Sequence, residues 1–303
     1  MNKITISAAD HSTFEARLWS LTSPIATIHL MHGMAEHCDR YIPLAEYLHQ
    51  AGYQVVTHNH RGHGERRPRG HYADADAAGM GGWELLMDDI LRVQQAVCGS
   101  EPRILFGHSM GSFIAQGFAI RHGDLLSGLI LSGSNHQSSA LFHLGRSVAS
   151  LLKLRQGQQH LSGVMDALSF GAFNKAFRPN RTDFDWLSRD NEQVDRYLAD
   201  AACGHLCSLQ LWTDLFGGLI EIGKADNLRK IPAHLPIYLF GGDRDPVGQM
   251  GKGVPALKAF LEKTGHDNVS LQMYPEGRHE MLNETNADEV FQNILNWLKA
   301  LPL

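Results

Sequence analysis

The chain lacks the features that mark several protein classes. It has four cysteines in 303 residues, Cys38, Cys98, Cys203 and Cys207. These are too few and too scattered for a disulfide framework, and free thiols in a reducing compartment are expected. Cys203 and Cys207 would stand one turn apart on a helix, but two cysteines alone are a weak signal for metal chemistry. No apolar run approaches the roughly 20 residues that cross a bilayer. The opening Met-Asn-Lys-Ile-Thr-Ile-Ser lacks the apolar core of a secretory signal. No basic block stands out: 27 Lys and Arg face 32 Asp and Glu, a net charge of −5. That argues against a nucleic-acid partner. It also gives no attraction to anionic membranes, so any membrane-surface contact would be apolar and transient, without stable insertion. The expected location is cytoplasmic, extending to the periphery of a membrane surface.

Apolar content is 43% and charged content 19%, which excludes disorder and fits a globular chain. At roughly 150 residues per domain, the length allows two domains or one large α/β domain with an insertion. Residues Ile4 to Trp19, broken by Ala9-Asp10-His11-Ser12, read as a β-hairpin. Short apolar runs follow, most of them ending in glycine-containing turns: Ala26–Met31, Tyr53–Thr57, Arg103–Phe106, Leu129–Leu131, Ile237–Phe240 and Val269–Tyr274. Helical patterns lie between several of them, with apolar Leu44, Tyr47 and Leu48 in one and Leu85, Leu86, Ile90 and Val93 in another. The last helix carries the stripe Val290, Phe291, Ile294, Leu295 and Leu298. Continuous apolar strands alternating with amphipathic helices predict an α/β fold, a mostly parallel sheet covered on both faces. The stretch 136–225 breaks the alternation and holds no convincing strand. Leu141, Leu144, Val148 and Leu151 have helical spacing there, as do Leu211, Leu215 and Leu219. The expected organisation is a core of 1–135 and 226–303 with a helical cap, 136–225, inserted between two strands.

Gly107-His108-Ser109-Met110-Gly111 is the only G-x-S-x-G in the chain. It follows a strand pattern and precedes the helical Phe113–Ile120. That context puts Ser109 on a sharp strand-to-helix turn at the carboxyl edge of the sheet. Such a turn needs glycines at both ends because a Cβ would collide with the neighbouring strand and helix. The backbone N–H of Met110, at the helix start, faces developing negative charge. A serine hydroxyl needs a positioned base. His279, just past the last strand, is the expected base. Asp243 and Asp245 both follow the strand Ile237–Phe240. Asp245 is the chosen acid, since Pro246 biases it toward an extended conformation, and Asp243 is left to stabilise the turn or pair with Arg244. The N–H of Met34, after His32-Gly33, suits a second oxyanion donor, and His32 is expected to support that loop.

These motifs resemble the serine hydrolases of the α/β-hydrolase superfamily, in particular the monoacylglycerol lipase and lysophospholipase branch. The pieces are His32-Gly33-Met34-Ala35-Glu36-His37 with Arg40-Tyr41, His60-Arg61-Gly62-His63-Gly64, the Ser109 pentapeptide, Asp245-Pro246-Val247 and His279-Glu280-Met281-Leu282-Asn283-Glu284. They occur in family order over nearly the whole chain. The family often has Asp where Asn59 stands and Ser where Glu65 stands. The resemblance implies an α/β-hydrolase fold, with Ser109, Asp245 and His279 as the triad. It also implies Met34 and Met110 N–H as the oxyanion hole, no cofactor, and a small-molecule ester or lipid as substrate. Among the cap's aromatic residues, Phe170, Phe173, Trp212 and Phe216 are the candidates for acyl-chain contact. Two other classes stand beside this reading. One is a metal-dependent hydrolase built on His58, His60 and His63. The other is a non-catalytic binding protein on the same fold, which would be expected to lack a triad member.

Overall fold

The computed structural model describes residues 1–74, 77–137 and 139–303. One sheet contains eight strands: β1 (Asn2–Ser7), β2 (Thr13–Trp19), β3 (Thr27–Met31), β4 (Gln54–His58), β5 (Arg103–His108), β6 (Gly128–Ser132), β7 (Ile237–Gly242) and β8 (Val269–Tyr274). Their order is β1-β2-β4-β3-β5-β6-β7-β8. The N-terminal segment forms the expected hairpin, with Ile6 opposite Phe14 and Ala8 N–H donating to Ser12 O at 2.8 Å. From β4 onward every pairing is parallel, and β2 joins β4 antiparallel.

The helices that flank the sheet are α1 (Ile42–Gln50), α2 (Gly82–Val97), α3 (Met110–His122), α9 (Gly253–Lys263) and α10 (Ala287–Ala300). The central strands are buried on both faces, so their side chains feed two apolar layers in alternation. On β5, Leu105 joins Leu86, Ile90 and Ile114, while Ile104 and Phe106 join Leu44, Leu48 and Ile294. The stripe of α10 is buried as its spacing requires. Each fully buried side chain of this size stabilises the fold by roughly 1.5–3 kcal/mol. A buried ion group ties α2 to the loop after β4: Arg61 reaches Asp89 with two bonds, at 2.9 and 3.0 Å, and Arg66 adds a third at 2.8 Å.

Between β6 and β7 the chain runs through α4 (Ser139–Gln156), α5 (Gly163–Phe173), α6 (Asn191–Ala199), α7 (Leu209–Ile222) and the short α8 (Ala225–Leu228). Among the described residues, its β pairing is limited to a bridge between Leu161 and Ser208. α7 packs against α2, α3 and α4. Gly218 makes this close approach feasible, since a Cβ there would stand 2.3 Å from the Trp83 ring of α2. Residues 203 to 207 are not helical, so Cys203 and Cys207 do not share a helical turn. All four cysteines are free thiols. No helix among the described residues is long and apolar enough to cross a membrane.

Candidate active site

Ser109 sits between β5 and α3 with φ 52° and ψ −121°, a conformation that costs about 1–3 kcal/mol and needs support from its surroundings. The surroundings supply it. Ser109 N–H donates to Ser132 O at 2.9 Å, and Ser112 and Phe113 N–H both donate back to Ser109 O. A Cβ on Gly107 would stand 2.3 Å from Gly111 O, and one on Gly111 would stand 2.6 Å from both His32 O and Met31 O. Only glycine lets strand and helix approach this closely. Ser109 remains half-buried, with its side chain facing a cavity also lined by Met34, His108 and His279. Met110 occupies the first turn of α3, where backbone N–H groups have no intrahelical acceptor.

His279 and Asp245 meet although they stand on different loops. His279 Nδ1 donates to Asp245 Oδ2 at 3.0 Å, and both side chains are buried. The other carboxylate oxygen accepts Val247 N–H at 2.8 Å, which fixes the plane of the carboxylate. Burial depresses the His279 pKa, but the field and hydrogen bond of Asp245, helped by Glu280 and Glu36, outweigh it and leave the pKa above 6.5. Asp243 has the structural role expected of it, since its Oδ1 accepts Glu276 N–H at 2.7 Å. Arg244 pairs with Glu276 at 3.1 Å rather than with Asp243.

The loop after β3 is held by side chains. His32 supports it as expected, with Nδ1 donating to Gly33 O at 2.7 Å and Nε2 accepting from His60 N–H at 3.0 Å. Glu36 accepts from Gly33 N–H at 2.5 Å and from the Tyr41 hydroxyl at 2.8 Å. Arg40 then links Glu36, at 2.6 Å, to both carboxylate oxygens of Glu280, beside His279. The motif spacing placed Glu36 and Arg40 four apart, but their link to Glu280 needs the fold. Asn59 and Glu65, the two departures from the family pattern, hydrogen-bond to each other, and Asn59 also accepts Cys38 N–H at 2.8 Å. An amide is the partner that a carboxylate at 65 requires, because two carboxylates would repel.

The aromatic candidates divide. Phe170 lines the cavity. Phe173, Trp212 and Phe216 do not; they pack behind it, with Trp212 stacked on Phe216 at 5.7 Å and Phe173 against Trp186 at 5.2 Å. For Trp212 and Phe216 the cause is α7, whose apolar face is committed to α2, α3 and α4, while Phe173, at the end of α5, packs into the cluster around Trp186. The other aromatic residues that reach the cavity are Phe184 and Trp186, with Leu187 beside them, from irregular chain, and Tyr197 from α6. Trp186 lies 5.1 Å from the His279 ring, and its carbonyl accepts His279 N–H at 3.4 Å. Free space in the cavity is about 20 Å³, room for one water.

The His58, His60 and His63 set does not form a ligand cluster. His58 Nδ1 is engaged with His29 Nε2 at 2.9 Å, and the His60 and His63 rings pack against His32 at 4.3 and 5.2 Å. The His58 and His60 rings do meet, at 5.2 Å, but His63 lies in the turn beyond the strand and no shared set of ligand atoms forms. His63 groups with His205 and Cys207 instead.

Sequence and structure comparisons agree with this architecture. The chain is 27% identical over 282 residues to the monoacylglycerol lipase of Mycolicibacterium smegmatis, covering 91% of this chain and 89% of that protein. It is 27% identical over 293 residues to the monoglyceride lipase of Rattus norvegicus, covering 95% and 86%. A thermostable carboxyl esterase from Bacillus coagulans, solved in complex with glycerol, superimposes with a TM-score of 0.89 at 27% identity, covering 100% and 99%. The family model described as serine aminopeptidase, S33, matches residues 22–286. The chain belongs to that family and is a hydrolase of the α/β-hydrolase fold.

Proposed function

We propose that the protein is a serine carboxylic-ester hydrolase that acts on lipid-like esters such as monoacylglycerols or lysophospholipids. The observation that carries this reading is the buried 3.0 Å bond between His279 and Asp245, facing the same cavity as the strained Ser109. In this reading Asp245 holds the Nδ1–H tautomer, which leaves His279 Nε2 to take the Ser109 proton. Ser109 Oγ attacks the ester carbonyl, and the N–H groups of Met34 and Met110 stabilise the oxyanion. Collapse expels the alcohol, protonated by His279. Water, activated by the same imidazole, then releases the acid and restores Ser109. No metal or cofactor has a role in this sequence.

Although the family is described by its aminopeptidases, the carboxylates of this cavity favour an ester. An aminopeptidase needs a free carboxylate for the substrate ammonium. Glu36 and Glu280 are both taken by Arg40, leaving Asp166, whose carboxyl burial lifts above its ordinary value. Phe170, Phe184, Trp186 and Leu187 offer an apolar wall for an acyl chain. We read 136–225 as a cap over a core of 1–135 and 226–303. Its α4 and α5 expose Leu141, Leu144, Leu151, Leu154, Val164 and Leu168, a surface suited to brief apolar contact with a lipid bilayer.

The test is a panel of monoacylglycerols, lysophospholipids, p-nitrophenyl esters and aminoacyl-p-nitroanilides against the native chain and Ser109→Ala. The native chain is expected to cleave esters, with monoacylglycerols or lysophospholipids preferred. The variant should lose about 10⁴-fold or more in turnover. Retained ester hydrolysis by Ser109→Ala would overturn the assignment, and preferential cleavage of the anilides would move it to the peptidase class.

A further inference from the structure

His63, His205 and Cys207 form a cluster that the proposed acyl chemistry does not use. One ligand atom from each lies within 4.8 Å of the others. His63 and Cys207 are buried, and His205 is half-buried at the edge of the Ser109 cavity. His63 Nδ1 faces Arg61 O at 2.9 Å, and His205 Nδ1 faces Ala202 O at 3.2 Å. A carbonyl only accepts, so each Nδ1 carries the proton and each Nε2 keeps its lone pair. Both Nε2 atoms are buried and have no hydrogen-bond partner. Nδ1–H held by a backbone carbonyl with Nε2 free is how proteins orient an imidazole toward a metal.

The backbone around the cluster is fixed. Ser162 N–H donates to Cys207 O at 3.0 Å, Ser208 N–H to Gly70 O at 2.7 Å, and Gly70 N–H to Gly62 O at 2.6 Å. Three strands of loop that carry or adjoin the ligands are thereby held in register. The Gly62 carbonyl, already accepting from Gly70, stands beside the His205 ring.

We propose that His63, His205 and Cys207 bind a borderline-soft divalent cation of the zinc type through two imidazole nitrogens and one thiolate. Binding replaces the thiol proton, which leaves to solvent, and forms one metal–sulfur and two metal–nitrogen bonds. The N₂S donor set selects zinc over magnesium or calcium, which take oxygen ligands. Three protein ligands leave a fourth tetrahedral position for water. The ion clasps the loop 200–208 to the loop 60–64, and the former is also tied to the Ser109 cavity by Gly204 N–H donating to Ala35 O at 2.8 Å. The neighbouring group of His37, Asp200 and Cys203 differs, because His37 Nε2 is already bound to Asp200 at 2.7 Å. The site stands whether or not Ser109 is a nucleophile.

Cobalt(II) titration of the chelator-treated full chain tests this directly. The native chain should bind one equivalent and show a thiolate-to-cobalt charge-transfer band that zinc abolishes by displacement. Cys203→Ser should keep the band and Cys207→Ser should lose it, with circular dichroism reporting the fold of each. His205→Gln, at a half-buried position, should weaken cobalt binding at least about tenfold. Zinc should raise the thermal midpoint of the native chain and of Cys203→Ser, and leave that of His205→Gln nearly unchanged. No charge-transfer band in the native chain would overturn the site. So would its loss in Cys203→Ser with retention in Cys207→Ser. If Cys207→Ser does not fold, unchanged cobalt affinity in His205→Gln would overturn it as well.

Discussion

Replacing Asp245 by Asn keeps the shape of the side chain and reverses the proton on its bond to His279. The amide donates where the carboxylate accepted, which forces Nε2–H on the imidazole and leaves no lone pair for Ser109. Steady-state hydrolysis of a p-nitrophenyl ester should fall by about 10⁴-fold in Asp245→Asn. A fall of less than tenfold would remove Asp245 from its proposed role. The same pair sets the pH dependence. The base works when neutral, and Asp245 holds the His279 pKa above 6.5. kcat/KM should therefore rise with pH through an inflection above 6.5 and then level off, and a profile with its inflection below 6.5 would contradict the pairing. At this scale the three central residues were legible because each stands at a strand end inside a short motif. Trp186, Phe184 and Leu187 were not, since they reach the cavity from irregular chain with no period to mark them. Arg40 was visible in its motif, but its bidentate grip on Glu280 joins residues 240 apart.

An element shows its period in the sequence and hides its direction. The spacing of Leu141, Leu144, Val148 and Leu151 marks a helix, and α4 is there. Its buried residues are nevertheless Phe142 and Ala149, while Leu141, Leu144, Leu151 and Leu154 are exposed, Leu154 at 82%. A stripe of leucines facing water is costly for a helix unless it serves a surface. Leu144→Ser combined with Leu151→Ser should lower hydrolysis of monoacylglycerol in phosphatidylcholine vesicles several-fold. It should leave a soluble p-nitrophenyl ester and the thermal midpoint unchanged. An equal loss on both substrates would assign these leucines to folding instead of lipid contact. Two of the four aromatic candidates miss the cavity for the same reason of direction: Trp212 and Phe216 have the right chemistry on the side of α7 that the core had already claimed.

Across the whole molecule, the unusual feature is its 18 histidines, seven of which, His29, His32, His58, His60, His63, His71 and His108, are buried with their pKa values lowered by burial. Burial lowers each folded pKa, to about 3 for His29 and His32. The unfolded chain therefore binds more protons below pH 6.5, and stability present above that value is lost as pH falls. Each such histidine contributes at most about 1.4 kcal/mol per pH unit, so urea midpoints should drop steeply between pH 6.5 and pH 5. A flat profile over that interval would contradict the burial of the cluster. His279 works in the opposite sense: its raised pKa stabilises below 6.5, and that contribution fades as pH climbs through the folded value. The sheet order was legible only as a fold class, because apolar runs reveal strands and not their neighbours. The placement of β4 between β2 and β3 is a property of the assembled chain. That assembly also leaves only about 20 Å³ of free space beside Ser109, so an ester is accommodated only where the side chains that line the cavity give way. Arg278 and Glu280 are bonded to the 185–188 segment, which ties the wall beside His279 to the loop that carries it. Where such a rearrangement is slower than bond cleavage, esters with very different leaving groups would be consumed at one common speed.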